Sequence, residues 1–305
     1  MAVVRDSEAT ALTAIGVRNS LSRTAVDRQT IFDAASLSKP VFAYAVLRLV
    51  DAGKLALDTP LSLHVPDYVA DDPRAAAVTV RHVLSHTSGL PNWRSADLPL
   101  RTYFTPGERF RYSGEGFVWL QHVVEAVTGE TLDTTLHRLI FEPLEMRRSS
   151  YTWQPAFEPN YADPHDAEAA TANKTKPSVP NTAASLQTTA SDYARFLEAV
   201  LSGTGLSSDA ARRWLEPQVH LDNTQITWGL GWGLEPHSST FFQWGDNDRG
   251  RFKAFAMGSP QERCATVVFT NGFNGMAIMP ELIGKGLPGP HPAFAWLAYP
   301  ALRRG

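Results

Sequence analysis

Phe32-Asp33-Ala34-Ala35-Ser36-Leu37-Ser38-Lys39-Pro40, followed by an apolar run over residues 41–50, decides the reading of this chain. A serine and a lysine three residues apart face the same way on a helix. A helix starting at Ser36 would set that hydroxyl among unpaired backbone N–H groups, where the dipole favours developing negative charge. Pro40 fits a first turn, where its missing N–H costs little, and Gly53 reads as the stop. The run is apolar nearly all round, so the helix is expected to be buried. Burial disfavours a charged amine, which makes Lys39 a candidate base toward Ser36. The plainer alternative makes Ser36 only a helix cap and Lys39 a surface residue that snorkels.

Working outward, residues 2–4 and 10–17 read as two strands around the turn Asp6-Ser7-Glu8. Residues 78–84 begin a short helix with Thr79 as cap, ending in Ser85-His86-Thr87-Ser88-Gly89-Leu90-Pro91. His86 is tempting as a base, but a histidine tying a turn to its neighbours is the better reading. Helices are expected over 117–127, closed by Gly129, over 132–139, over 191–201 with Ser191 as cap, and from a Ser208 cap through Leu215. Residues 151–180 form a long irregular excursion, of the kind that often rims a site. The last third turns to strands at 226–234, 241–245, 252–257 and 265–270, then a helix at 276–285 and a proline-rich tail.

Strands at both ends with helices between them imply an α+β chain. Its antiparallel sheet is built from residues 1–56 and 189–305 and flanked by helices, with 57–188 as an all-helical insert. Ser36 would lie where the two regions meet, a usual place for a cleft. The 305 residues carry a net charge of -3 with no basic block, which argues against a nucleic-acid partner. The single cysteine, Cys264, reads as a buried strand residue, and the histidines do not fall at zinc-ligand spacings, so neither a metal nor another cofactor is expected. No apolar run is long enough to span a bilayer, and the N-terminus lacks a signal-peptide pattern, so a cytoplasmic location is the default expectation.

Several ordered motifs together resemble the serine β-lactamase and penicillin-binding-protein superfamily, class C-like, and within it the family VIII carboxylesterases. Residues 32–39 resemble the nucleophile motif of that family. Residues 80–90 resemble a structural turn, and Arg111-Tyr112-Ser113-Gly114 stands where the family has Tyr-x-Asn. Trp228-Gly229-Leu230-Gly231-Trp232 with Gln243-Trp244-Gly245-Asp246-Asn247 resembles the strand pair carrying the third motif. The resemblance implies a β-lactamase/transpeptidase-like fold. It also shows two departures. Gly114 replaces the asparagine, and Gln243 stands where a lysine or histidine is usual; a one-residue slip would put Trp244 there instead. The family usually opens with a helix on the sheet, whereas this chain starts almost at the strand. If that helix is missing, one sheet face is more exposed and a second copy, as a homodimer, could cover it.

The implied chemistry is a two-step acyl transfer. Ser36 would be the nucleophile, neutral Lys39 its base, and Tyr112 a relay to the leaving group. The oxyanion would sit between the N–H groups of Ser36 and Asp246, with Asn247 the choice if the register slips. Gly114, Gln243, Trp244, Gly245, Trp93 and Trp232 would line the substrate site, with Trp153 near it. An amide at Gln243 offers a neutral hydrogen bond where a cation would offer a charged one, so weak recognition of carboxylates is expected. This favours an ester hydrolase for small uncharged substrates, with acyl transfer to alcohols as an extension. The competing readings are a β-lactamase or D-amino-acid peptidase or amidase, and a catalytically silent binding protein on the same fold.

Overall fold

A computed structural model describes residues 1–298 apart from Ser7, Ala70 and Ser238. Among the described residues there are ten strands: β1 (Ala2–Arg5), β2 (Glu8–Leu12), β3 (Phe32–Asp33), β4 (Gln187–Thr188), β5 (Val219–His220), β6 (Thr227–Trp228), β7 (Gly233–Glu235), β8 (Thr240–Asn247), β9 (Phe252–Ser259) and β10 (Cys264–Thr270). Eight of them make one sheet in the order β2-β1-β10-β9-β8-β7-β6-β5. Every pairing in it is antiparallel, and both ends of the chain contribute, β1 lying against β10. Strands β3 and β4 pair separately and flank the turn that holds Ser36, Ala35–Leu37.

The central strands are buried on both faces, so their side chains divide by parity into two cores. Ala2, Val4, Phe241, Ala254, Ala256, Ala265 and Val267 point to one face; Val3, Phe242, Phe255, Met257, Cys264 and Val268 point to the other. The first face packs on α1 (Ser38–Asp51), and on a helix at Ala190–Ser202 whose Tyr193, Phe196 and Leu197 are buried. Between β3 and β4 the chain after α1 is helical and irregular, with α2 (Val80–Leu84), α3 (Gly114–Thr128) and α4 (Leu132–Leu136). Counting onward, the Ala190–Ser202 helix is α5, followed by α6 (Ser208–Trp214), α7 (Met279–Gly284) and α8 (Pro292–Leu297). Met279 and Ile283 of α7 and Ala293 of α8 belong to the second core.

Several boundaries differ from the sequence expectation, each for a local reason. The expected strand at 226–234 folds back on itself: β6 and β7 form a hairpin turned at Gly231, whose φ is +97°. The second strand is Glu8–Leu12 rather than 10–17. Thr189 and Ser207, not Ser191 and Ser208, cap α5 and α6, accepting from the N–H of Asp192 and Ala210. The turn after α4 widens into a π-helical turn, His137–Phe141. The helix expected at 276–285 opens as a 3-10 turn, Phe273–Ile278, and the tail adds α8. Ser36 itself sits in a 3-10 turn, Ala35–Leu37, and α1 begins only at Ser38.

Trp232 follows the hairpin turn and is fully buried, stacked on Phe196 and tilted against Phe241. It fills the core and offers no face to a substrate. Trp232→Ala should therefore lower the unfolding free energy by about 3–5 kcal/mol. Urea or guanidinium titration checks this; a loss below about 1 kcal/mol would contradict the core assignment.

Candidate active site

Helix α1 presents Lys39 in its first turn, and the rest of that helix is buried from Ser38 through Leu47. The Lys39 amine is wholly removed from solvent. Its Nζ lies 3.0 Å from Ser36 Oγ and donates to Ala183 O at 2.7 Å. Both contacts are with neutral oxygens. Burial without an anion disfavours the ammonium, and the Lys39 pKa is pushed down from 10.5 to about 7. A neutral amine can give one N–H to Ala183 O and turn its lone pair toward the Ser36 hydroxyl.

Tyr112 arrives from the segment before α3. The Lys39 amine stands 4.7 Å from the centre of its ring. Gln243 of β8 donates both amide hydrogens, to Tyr112 Oη at 3.0 Å and to Ser36 O at 3.1 Å. The Ser36 carbonyl can only accept, which fixes the amide nitrogen toward the site. Since the phenol oxygen accepts from Gln243, its own proton is free to point elsewhere. Burial raises the Tyr112 pKa, and the contacts with Ser36 and Gln243 oppose that rise only in part. His86 stacks on the far face of this ring at 4.2 Å, with Nδ1 accepting from the Ser113 N–H. Burial, and then the nearby Lys39, hold His86 neutral, well below its ordinary value. It serves as a platform for Tyr112, in keeping with the structural reading of its turn.

Gln243, expected to line the substrate site, turns inward. The side chain is completely buried, both of its donors are used on Tyr112 and Ser36, and its Oε1 has no partner. The parity of β8 also resolves the slip considered above. Gln243, Gly245 and Asn247 face the nucleophile turn, while Trp244 and Asp246 face the other way. Trp244 is half-buried, 5.0 Å from the Tyr112 ring and 5.3 Å from Trp296 of α8. The Asp246 carboxylate pairs with Lys253 on the next strand.

Gly114 and Trp93 come together in a way the sequence did not announce. A Cβ at Gly114 would lie 2.8 Å from the Trp93 ring and 2.9 Å from Asn92 O. The indole thus occupies the room beside residue 114, and it remains 47% exposed. The loop carrying it is tied to the start of α3. Asn92 accepts the Gly114 and Glu115 N–H groups at 2.9 Å each, and Arg94 pairs with the buried Glu115 carboxylate. Trp153, from the irregular excursion, donates to Glu158 and lies under Lys176, in a cluster with Phe157 and Tyr161.

An apolar groove of about 450 Å³ lies elsewhere, lined by Leu12, Ile15, Phe32, Ile278 and Leu282, and includes none of Ser36, Lys39 or Tyr112. Among the described residues no cluster of His, Cys, Asp or Glu is placed to hold a metal ion, and no helix is long and apolar enough to cross a membrane.

A serine in a 3-10 turn and a buried amine in the first turn of the helix that follows, beside an antiparallel sheet built from both chain ends, define a class, and comparison with known proteins agrees. A family model described as Beta-lactamase matches residues 1–284, and the chain belongs to that family of serine hydrolases. It is 30% identical to penicillin-binding protein 4 of Amycolatopsis lactamdurans, over 72% of this chain and 67% of that one. It is also 30% identical to esterase EstB of Burkholderia gladioli, over 71% and 72%. Among solved structures, EstCE1, described as a hydrolase with promiscuous acyltransferase activity, superposes with a TM-score of 0.80 at 21% identity, covering 94% of this chain and 93% of its own. An octameric penicillin-binding-protein homologue from Pyrococcus abyssi gives 0.79 at 22% identity, over 94% and 74%. These last two show a shared fold.

Gly245 is where β8 meets the nucleophile turn. A Cβ there would lie 2.6 Å from Ala34 O and 3.2 Å from Ser36 N. Gly245→Val should push the strand from the turn and slow labelling of Ser36 by a fluorophosphonate at least about tenfold, since a misplacement of about 1 Å can cost some 10²-fold. Intact-mass time courses measure this, and labelling at the wild-type rate would show that the close approach does not matter.

Proposed function

We propose that this chain is an esterase for small uncharged substrates that works through an acyl-enzyme on Ser36. The observation that carries it is the Lys39 amine, fully buried, 3.0 Å from the Ser36 hydroxyl, with its other hydrogen bond spent on a carbonyl. Lys39 takes the Ser36 proton as Oγ attacks the ester carbonyl carbon. The carbonyl oxygen becomes an oxyanion between the N–H groups of Ser36 and Asp246. Collapse breaks the bond to the alcohol, which leaves with a proton relayed from Lys39 through Tyr112. Water then attacks the acyl-Ser36 ester with its proton going to Lys39; the bond from the acyl carbon to Ser36 Oγ breaks, Lys39 returns the proton to Oγ, and the acid departs. An alcohol in place of that water would make the same step an acyl transfer.

Tyr112 acts in this reading as a phenol. Its raised pKa keeps the phenolate scarce at neutral pH, so it relays a proton and leaves the task of base to Lys39. The preference for uncharged substrates rests on two features. Gln243 carries no charge and faces inward, and the space beside Gly114 holds the Trp93 indole. A carboxylate entering here would meet an aromatic ring, and the two Gln243 donors are already spent on Tyr112 and Ser36. Trp93 and the half-buried Trp244 would give the acyl or alcohol group apolar walls.

Turnover of p-nitrophenyl acetate or butyrate is expected to exceed that of a chromogenic cephalosporin, both measured as kcat/KM. Faster cephalosporin turnover would favour the β-lactamase or peptidase reading to which the penicillin-binding relatives point. No covalent Ser36 adduct with a fluorophosphonate would favour a silent binding protein.

The pH profile tests the base. A lysine with a pKa near 7 is protonated and useless below it, so kcat/KM for the ester should rise with pH through about 7 and then level. Lys39→Ala should cost about 10²–10⁴-fold in kcat. A profile flat from pH 5 to about 9 would contradict the assignment.

A further inference from the structure

We infer that Asp33 and Asn247 are positioning residues that hold the backbone of the nucleophile turn in a left-handed bend, and so aim the Ser36 N–H into the slot beside Gly245. The inference rests on Ser36 being the nucleophile.

Ala35, immediately before Ser36, has φ +50°. A residue with a Cβ does not adopt this conformation without help, and nearby structure must impose it. The help comes from both sides. Its N–H donates to Asp33 Oδ1 at 2.8 Å, and its carbonyl accepts from the Ser38 hydroxyl at 2.5 Å. Ser38 Oγ is itself held by the Leu186 N–H at 3.0 Å. The Asp33 oxygen that takes the Ala35 N–H also takes Asn247 Nδ2 at 3.1 Å. The second hydrogen of that amide goes to Ala184 O at 2.9 Å, one residue from the carbonyl that Lys39 uses. One carboxylate and one amide therefore join three parts of the site: the turn before Ser36, the end of β8, and the loop that receives the lysine.

Asp33 suits this place for a chemical reason. A charged acceptor holds backbone N–H and amide donors about twice as strongly as a neutral one. Burial raises the Asp33 pKa, and the charge of Lys174, followed by the Ala35, Asn247 and Gln187 hydrogen bonds, offsets that rise only in part. Lys174 belongs to the irregular 151–180 excursion. Its amine is buried 4.1 Å over the Phe252 ring with no hydrogen-bond partner, facing Asp33, Asp248 and Asp163 and repelled by Lys176. The excursion thus supplies a cation behind the turn.

Kinetics and labelling of Asp33→Ala, Asp33→Asn and Asn247→Ala test this. Asp33→Ala should lose about 10²-fold in kcat on p-nitrophenyl butyrate and in the rate of fluorophosphonate labelling alike, because both need the Ser36 N–H in place. KM should stay within about threefold, and the acid limb from Lys39 should not move. Asp33→Asn, which keeps an acceptor without the charge, should recover most of the loss. A purely structural role would lower the melting temperature and leave kcat per folded molecule unchanged. That result overturns the inference, as does labelling of Asp33→Ala at the wild-type rate. If Asp33→Ala does not fold, Asn247→Ala decides, and wild-type kcat in that variant overturns the inference too. Wild-type protein that resists the fluorophosphonate removes the nucleophile assignment and this inference together.

Discussion

A single amine buried among neutral oxygens sets the terms for everything around it. Taking an ammonium out of water is costly, and proteins normally answer with a carboxylate or by losing the proton. Lys39 has Ser36 Oγ and Ala183 O as hydrogen-bond partners, and burial moves it toward the second outcome, with its pKa pushed down to about 7. A helix apolar on nearly all sides is what removes solvent here. Val41, Phe42, Ala43, Ala45 and Val46 are all fully buried behind the lysine. The same packing that stabilises the fold thus lowers the basicity of the amine until part of it is unprotonated, and able to accept a proton, at neutral pH.

The hydrogen-bond directions around Tyr112 follow from what replaces a cation. A lysine or histidine in place of Gln243 would stabilise a phenolate. The amide instead donates to a phenol that keeps its proton. The Gln243 carbonyl oxygen is left without a partner, a cost that a purely structural residue would not be expected to carry. His86 closes the other side with a neutral ring stacked on the phenol. Among these groups the titration near neutral pH falls to Lys39.

What could be read from the chain was what depends on short spacing. Ser36 and Lys39 lie three residues apart where a helix begins, and the late strands follow from alternation bounded by turns. The unread parts depend on contacts made across the fold. No glycine marks the left-handed bend at Ala35, because Asp33 and Ser38 impose it, so the helix start was placed two residues early. Residues 226–234 alternate well enough to look like one strand, and only the fit of Gly231 against Ala43 shows why the chain reverses there. Trp232 and Trp93 look alike in sequence, yet one is sealed in the core and the other lies open over Gly114. Inward-facing Gln243 could have been found from the parity of β8, given that Gly245 two residues on must face the same turn.

The location of the site follows from the sheet topology. Because both chain ends feed one antiparallel sheet, β8 is carried to the turn that holds Ser36 with its backbone fixed by β9 from Phe241 to Asn247 and by β7 at Thr240, Phe241 and Phe242. A strand so held cannot retreat, and residue 245 must therefore be small for Ser36 N to come within reach. The turn is held from beneath by β3 pairing with β4, which also places Leu186 and Asp33 against Ala35. Two rigid pieces, built from distant parts of the chain, thus meet at one backbone N–H. Its placement is set by the sheet and the turn together, and side-chain chemistry at Lys39 and Tyr112 acts on geometry already in place.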